Sequence, residues 1–370
     1  MPVPLLDLQA QHANIRAEVV AAMMDVVDSQ LFILGEPVVQ LEEDVARLSR
    51  TKHAIGCASG TDALLLAFRA LDIGRGDEVI TTPFTFFATA GTIHNVGATP
   101  VFVDIEPKTF NIDPAAAKAA VNANSKAVVP VDLFGQMAAI ECVRELMPNL
   151  PIIEDAAQTI GAQRRIGGKE RMAGEVATIG TFSFFPSKNL GGYGDAGMMV
   201  TQDDRLAERL RRLRVHGGLK SYIHDEVGYN SRIDALQAAV LRAKFRHLAM
   251  WSEKRRSNAR YYDEALRDVA QVVTPFIDPS NTSIFNQYTL RAERRDELQA
   301  YLNSKKIGSA VYYPLPLHLQ PCFAYLGYRE GSCPESERAA REVISIPVFP
   351  ELTRSQQDEV IAAIRDFYKR

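Results

Sequence analysis

Along this chain, short apolar runs alternate with stretches of helical period from residue 53 to about 200. Segments 53–57, 78–81, 99–104, 126–131 and 151–154 are brief, apolar and bounded by turn residues, which predicts strands. Between them, 63–71, 87–96, 114–121 and 140–147 carry the three-to-four-residue spacing of helices packed on a sheet. Strands alternating with helices imply parallel crossovers. That predicts an α/β fold with a mostly parallel sheet sandwiched by helices. Two more strands, 177–182 and 197–201, flank a glycine-rich loop. After residue 200 the pattern changes. Segment 205–214 reads as a basic helix, and 233–251 as one long helix with the stripe Leu236, Val240, Phe245 and Leu248. From about 252, helices mix with β-like runs at 287–290 and 343–348. The chain exceeds what one core serves, so two units are expected: a large one over 1–250 and a smaller α+β one over 251–370.

Composition narrows the class. With 46% hydrophobic and 24% charged residues and a net charge of −3, the chain has no electrostatic claim on nucleic acid or anionic membrane. No window has the apolar length of a membrane span, and the first eleven residues lack the basic and apolar regions of a leader, so a cytoplasmic location is expected. Cys57, Cys142, Cys322 and Cys333 form no C-x-x-C pair and read as free thiols, with Cys57 in the core. The seven histidines show no H-x-x-x-H or H-E-x-x-H spacing, so no metal is expected.

Ligands of such sheets bind beyond the carboxyl ends of the strands, and four segments there carry chemistry. In Ala58-Ser59-Gly60-Thr61-Asp62-Ala63, Ser59 suits an N-cap and Gly60 lets a ligand approach, so the helix start invites a phosphate with the Thr61 hydroxyl as a further donor. Asp155, ending the run Ile153-Glu154-Asp155, is placed to face the site, while Glu154 alternates away and reads as structural. A helix cap is the plainer alternative for Asp155. Gln158 follows one turn later. Lys188 lies in Phe184-Phe185-Pro186-Ser187-Lys188-Asn189-Leu190-Gly191-Gly192, an aromatic and glycine-rich setting that would lower an amine's pKa and make it nucleophilic toward an aldehyde. Ser183, five positions earlier, is within reach of the same phosphate. Thr82-Pro83-Phe84-Thr85-Phe86-Phe87 offers an aromatic to stack on a planar ring, with core packing the alternative for Phe84 and Phe87. A carboxylate, an aldehyde-reactive lysine and a phosphate cup together fit pyridoxal phosphate. Gly192-x-Gly194-x-x-Gly197 matches a dinucleotide fingerprint, but a strand follows it and no acid stands about 20 residues on, so a dehydrogenase is rejected.

Read together, these segments resemble the DegT/StrS-type sugar aminotransferases of the aspartate-aminotransferase superfamily, fold type I. The likeness spans nearly the whole chain: Leu6-Asp7-Leu8, Phe32-Ile33-Leu34-Gly35, S-G-T-D-A-L at 59–64, P-F-T-F at 83–86, V-D-L-F-G-Q at 131–136, E-D-A-A-Q at 154–158, S-F-F-P-S-K at 183–188, G-Y-N-S-R at 228–232 and Y-P-L-P-L-H at 313–318. The resemblance implies a large unit with a seven-stranded type of sheet. It makes Lys188 the Schiff-base lysine and proton shuttle, and Asp155 the partner of the cofactor's ring nitrogen. Phe86 would stack on the ring and Gln158 would meet its phenolic oxygen. Gly60, Thr61, Asp62 and Ser183 would hold the phosphate, joined across a homodimer interface by Asn230, so that each active site is composite. Arg232, Tyr313 and His318 would shape the substrate pocket. The implied reaction moves an amino group from L-glutamate, which leaves as 2-oxoglutarate, to a keto nucleotide sugar. The resemblance points to C3 of a UDP-2-acetamido-3-keto-hexuronic acid or a dTDP-3-keto-6-deoxyhexose, for cell-surface polysaccharide or amino-sugar synthesis. Two departures stand out: Gly35-Glu36-Pro37 replaces G-P-E, and Tyr312 stands where relatives often carry His. A sugar dehydratase of the same family would carry His at position 188. A non-catalytic regulator on the same fold is the third alternative.

Overall fold

Four strands pair in the order His53–Cys57, Gly197–Thr201, Ile179–Ser183, Ile153–Asp155, and three in the order Thr99–Phe102, Glu78–Thr81, Ser125–Val129. Parallel bridges from Val128 to Ile152 and from Val131 to Asp155 join them into one seven-stranded sheet. Of its strands, Gly197–Thr201 alone runs against its neighbours. The carboxyl ends of the other six therefore share one edge. The structure, a computed structural model, describes residues 2–220 and 222–369.

Period-two alternation divides the strand residues between two cores. Ile55, Met199, Ile179 and Ile153 face helix Gly60–Ala70 through Leu64 and Phe68, with Leu210 and Leu213 of helix Asp204–Leu213 beside them. Ala54, Met198, Val200 and Phe182 face the other way, against Val38, Leu41 and Val45 of helix Glu36–Leu48 and Leu241 of helix Ala235–Phe245. The strand positions read from the sequence hold to within two residues. Helix Leu8–Ser29, to which the sequence pattern assigned nothing, packs Ile15 and Val19 on Val240 and Trp251.

The single helix expected over 233–251 is two. Ala235–Phe245 ends, Arg246 and His247 turn, and Leu248–Leu266 begins. Buried apolar positions continue across the turn, Val240 and Leu241 before it and Leu248 and Trp251 after it, so periodicity does not register the break. The His247 ring stacks on Trp251 at 5.5 Å, and its Nε2 meets Glu18 at 3.1 Å. A hairpin, Gln163–Ile166 with Lys169–Met172, was also unassigned. Its turn residues Gly167 and Gly168 both have positive φ, as a tight hairpin demands, and its outer partner is Asn281–Thr282, far along the chain.

A second sheet pairs Val272–Val273, Tyr288–Ala292 and Val343–Ile346, all antiparallel. Helices Leu248–Leu266, Arg295–Ser304 and Arg354–Tyr368 cover it through Tyr262, Leu298, Leu302, Val360 and Ile364. Val3 belongs to this core and bridges Ile307, so the start of the chain is stitched into its C-terminal part. Among the described residues no helix is long and apolar enough to cross a membrane.

Candidate active site

The shared edge of the sheet carries Ser59 and Gly60 after the first strand, Asp155 to Gln158 after another, Ser183 to Lys188 after a third, and Phe84 to Phe86 after Glu78–Thr81. Ser59 caps helix Gly60–Ala70, its Oγ accepting the Asp62 amide at 3.0 Å. The first-turn amides of Gly60 and Thr61 have no partner within the helix and stand at its positive end. A Cβ at Gly60 would lie 2.6 Å from Ser183 Cβ and 2.9 Å from its Oγ. Only glycine allows that approach, and it brings the Ser183 hydroxyl to the helix mouth. Oriented amides, two hydroxyls and a helix dipole are what a phosphate group requires.

Asp62 departs from its expected direct hold on phosphate. Its amide is taken by Ser59, and its carboxylate accepts the Ser231 hydroxyl at 2.7 Å. A phosphate would repel this carboxylate; its effect is to tie the cup to the segment bearing Asn230 and Arg232. Asn230 is exposed, and the half-buried Arg232 keeps a buried Nε with no hydrogen-bond partner among the described residues.

Asp155 is buried, and no helix follows it, which removes the capping alternative. Its Oδ2 accepts the Thr89 hydroxyl at 2.7 Å, and its Oδ1 the Ala157 amide at 3.3 Å. Burial pushes this carboxyl above its usual range, while Thr89, Ala157 and the Lys188 charge pull it partway back. A desolvated carboxylate of this kind is completed by a cationic donor. Thr89 was missed by sequence reading, although it lies one helical turn after Thr85, whose hydroxyl it meets at 3.0 Å. Burial brings the Lys188 amine down to about 8, against the pull of Asp155. Its backbone is fixed by the Phe185 carbonyl at 2.8 Å, and neighbouring Asn189 reaches the Ile284 carbonyl at 3.0 Å. Glu154, on the opposite strand face, is fully buried and accepts the Gly174 amide at 3.0 Å, as a structural residue would.

Phe86 is 58% exposed, whereas Phe84 is fully buried against Phe110 and Phe134. Phe87 is also exposed but lies 5.7 Å from the Phe323 ring, which leaves Phe86 the freer ring of this segment for stacking. Gln158 accepts the Phe134 amide at 2.6 Å, which turns its Nε2 toward the Tyr313 hydroxyl 3.5 Å away. The Tyr313 ring lies 6.4 Å from Phe86 and 6.2 Å from Phe84. His318 does not join this group. It is 1% exposed and paired with Glu337 at 3.0 Å, so in this conformation it offers no surface to a substrate.

Residues 13–365 match the DegT/DnrJ/EryC1/StrS aminotransferase family. The chain belongs to this family. It is 52% identical to the pleiotropic regulatory protein of Geobacillus stearothermophilus, covering 100% of this chain and 99% of that one. It is 44% identical to the UDP-N-acetyl-3-dehydro-alpha-D-glucosamine 3-aminotransferase of Acidithiobacillus ferrooxidans, over 98% and 97%. Among solved structures it matches Streptomyces venezuelae DesV in complex with a ketimine intermediate, with a TM-score of 0.97, 41% identity and coverage of 100% and 99%. The fold is that of the pyridoxal-phosphate-dependent aminotransferases, fold type I. As an aminotransferase of this family the chain is an enzyme, and the family implies pyridoxal phosphate as its cofactor. The residues present fit that cofactor: an open phosphate cup, a buried acid with no ion pair among the described residues, a lysine with a depressed pKa and an exposed aromatic ring.

Proposed function

We propose that this aminotransferase moves an amino group from L-glutamate to C3 of a keto nucleotide sugar, with pyridoxal phosphate held on Lys188. The supporting observation is that Gly60, Ser183, Asp155, Gln158 and Lys188 meet at one sheet edge although the chain spreads them over more than a hundred residues. Bound pyridoxal phosphate supplies an electron sink and a carrier for the amino group. Asp155 keeps a proton on the ring nitrogen. Gln158 orients the phenolic oxygen, Phe86 covers the ring, and Gly60, Thr61 and Ser183 hold the phosphate. Lys188 carries the proton at the reacting carbon. An amine of pKa about 8 is roughly a quarter unprotonated at pH 7.5, against about a thousandth at its ordinary value.

The site is read as composite in a homodimer, with Asn230 of the partner subunit reaching the phosphate. The loop before Asn230 favours this, since Leu219, Tyr222, Ile223 and Val227 are all exposed, and such an apolar surface suits a second copy. Arg232 and Tyr313 are assigned to the substrate pocket, where the unpaired Arg232 Nε suits an anionic sugar. Residues 1–250 and 251–370 are read as a cofactor-binding and a smaller unit, bridged by helix Leu248–Leu266. Free thiols at all four cysteines suit a cytoplasmic enzyme.

The name of the 52% identical relative favours a second reading, a regulator. A dehydratase is disfavoured because position 188 is Lys. A single-turnover screen of the amino-loaded enzyme against 3-keto and 4-keto nucleotide sugars separates these readings. Amination of the 3-keto sugars is expected. Product only from 4-keto sugars would overturn the regiochemistry, and no turnover of any sugar would favour the regulator.

A further inference from the structure

The loop that carries Tyr313 is tethered at its far end by a buried polar latch. His318 Nε2 donates to Glu337 Oε1 at 3.0 Å, and its Nδ1 has no hydrogen-bond partner among the described residues. Glu337 also accepts the Gly331 amide on both oxygens at 2.9 Å and the Cys333 amide at 3.3 Å. Burial opposes its charge, but the Gly331 amide, His318 and the Cys333 amide outweigh that and hold the carboxyl below its usual range. Next to it, helix Pro334–Glu342 is fixed to the large sheet. Asp104, just beyond strand Thr99–Phe102, accepts the Glu335 and Ser336 amides at 2.8 Å and the Ser336 hydroxyl at 2.6 Å. The His318 ring also packs edge-on to Tyr328, whose hydroxyl bonds both the amide and the carbonyl of Phe102. Between latch and site, the Leu317 amide donates to the Pro83 carbonyl at 2.8 Å, in the segment that bears Phe84 and Phe86. The latch thus fixes His318 to helix Pro334–Glu342 and the large sheet, and the Leu317–Pro83 bond carries that anchorage to the segment against which Tyr313 packs.

We propose that His318, acting through Glu337, is a positioning residue that sets the Tyr313 ring against Gln158 and Phe86 and touches no substrate. Removing the Nε2 donor leaves a buried carboxylate short of a partner, and the strain is relieved by moving the segment 313–318. Only the catalytic consequence rests on the function proposed above; the placement of Tyr313 is measured separately.

The test uses holoenzyme carrying 3-fluorotyrosine at position 313, read by fluorine NMR, with kcat and KM for the sugar alongside. His318→Phe fills the space without a donor, whereas His318→Gln can return an amide N–H near the Nε2 position. His318→Phe is expected to shift or broaden the Tyr313 resonance and to lower kcat roughly ten- to hundredfold while cofactor stays bound, as sub-ångström misplacement does. His318→Gln should restore the resonance and most of kcat. An unmoved resonance with a raised KM would make His318 a substrate contact, and an unmoved resonance with unchanged kinetics would make it a bystander; either overturns the proposal. Should His318→Phe not fold, Glu337→Gln must shift the same resonance. A shifted resonance in an enzyme that aminates no sugar would defeat the proposed function and leave this inference standing.

Discussion

Exchanging Asp155 for Asn swaps one carboxylate oxygen for an NH2 at nearly constant volume, so the perturbation is charge. Asn Oδ1 can still accept the Ala157 amide, and its NH2 can donate to the Thr89 hydroxyl oxygen, whose own proton can turn to Thr85. The cofactor's ring nitrogen then faces a neutral partner. Charge-assisted hydrogen bonds are about twice as strong as neutral ones, and losing one together with the protonated ring costs about 3–5 kcal/mol in barrier. That corresponds to roughly 10²–10⁴-fold in kcat. Stability should move the other way. Because burial raises the folded-state carboxyl, the folded protein binds more protons than the unfolded chain between the usual carboxylate value and the shifted one. Stability is full below that window and is lost as pH rises through it. Above the window the wild-type charge is a cost in cofactor-free protein, so Asp155→Asn should melt at an equal or higher temperature at pH 7.5. The difference should close as pH falls to about 4. Single-turnover rates and melts of the cofactor-free protein at both pH values check this. Near wild-type kcat with a lowered melting temperature would mean that Asp155 merely braces its turn, and the electronic argument would fail.

Borohydride reduction and peptide mapping should find the cofactor fixed on Lys188; an adduct on Lys220 or Lys244 would refute the assignment. In cofactor-free protein, labelling of Lys188 by an amine reagent should reach half its maximal rate near pH 8, because its amine is held at about 8. Asp155→Asn should move that midpoint lower still, since the carboxylate's attraction raises it. Mixing Lys188→Ala with an inactive Asn230 variant should recover roughly a quarter of wild-type activity per subunit, because half the randomly paired dimers are mixed and each then has one intact site of two. No recovery after confirmed subunit exchange would place Asn230 in its own chain's site or outside any site.

The edge of the sheet was legible in the sequence because each of its parts is local. Apolar runs such as 53–57 and 78–81 fix strands by period and length, and a strand's end fixes where the next loop residues stand. Hence Gly60, Asp155, Ser183 and Lys188 could be assigned to one edge before any contact was known. What tertiary structure alone decided are pairings between distant segments. The Thr89 hydroxyl on Asp155, Ser231 on Asp62 and His318 on Glu337 join residues 66, 169 and 19 positions apart. They give the Asp62 carboxylate a partner in the Ser231 hydroxyl and hold His318 buried against Glu337. The break at Arg246–His247 and the hairpin's partnership with Asn281–Thr282 belong to the same class. Hydrophobic burial is non-directional and repeats with the backbone, so it leaves a period in the sequence. A hydrogen bond between two side chains is directional and occurs once, and only the folded chain brings its donor and acceptor within 3 Å.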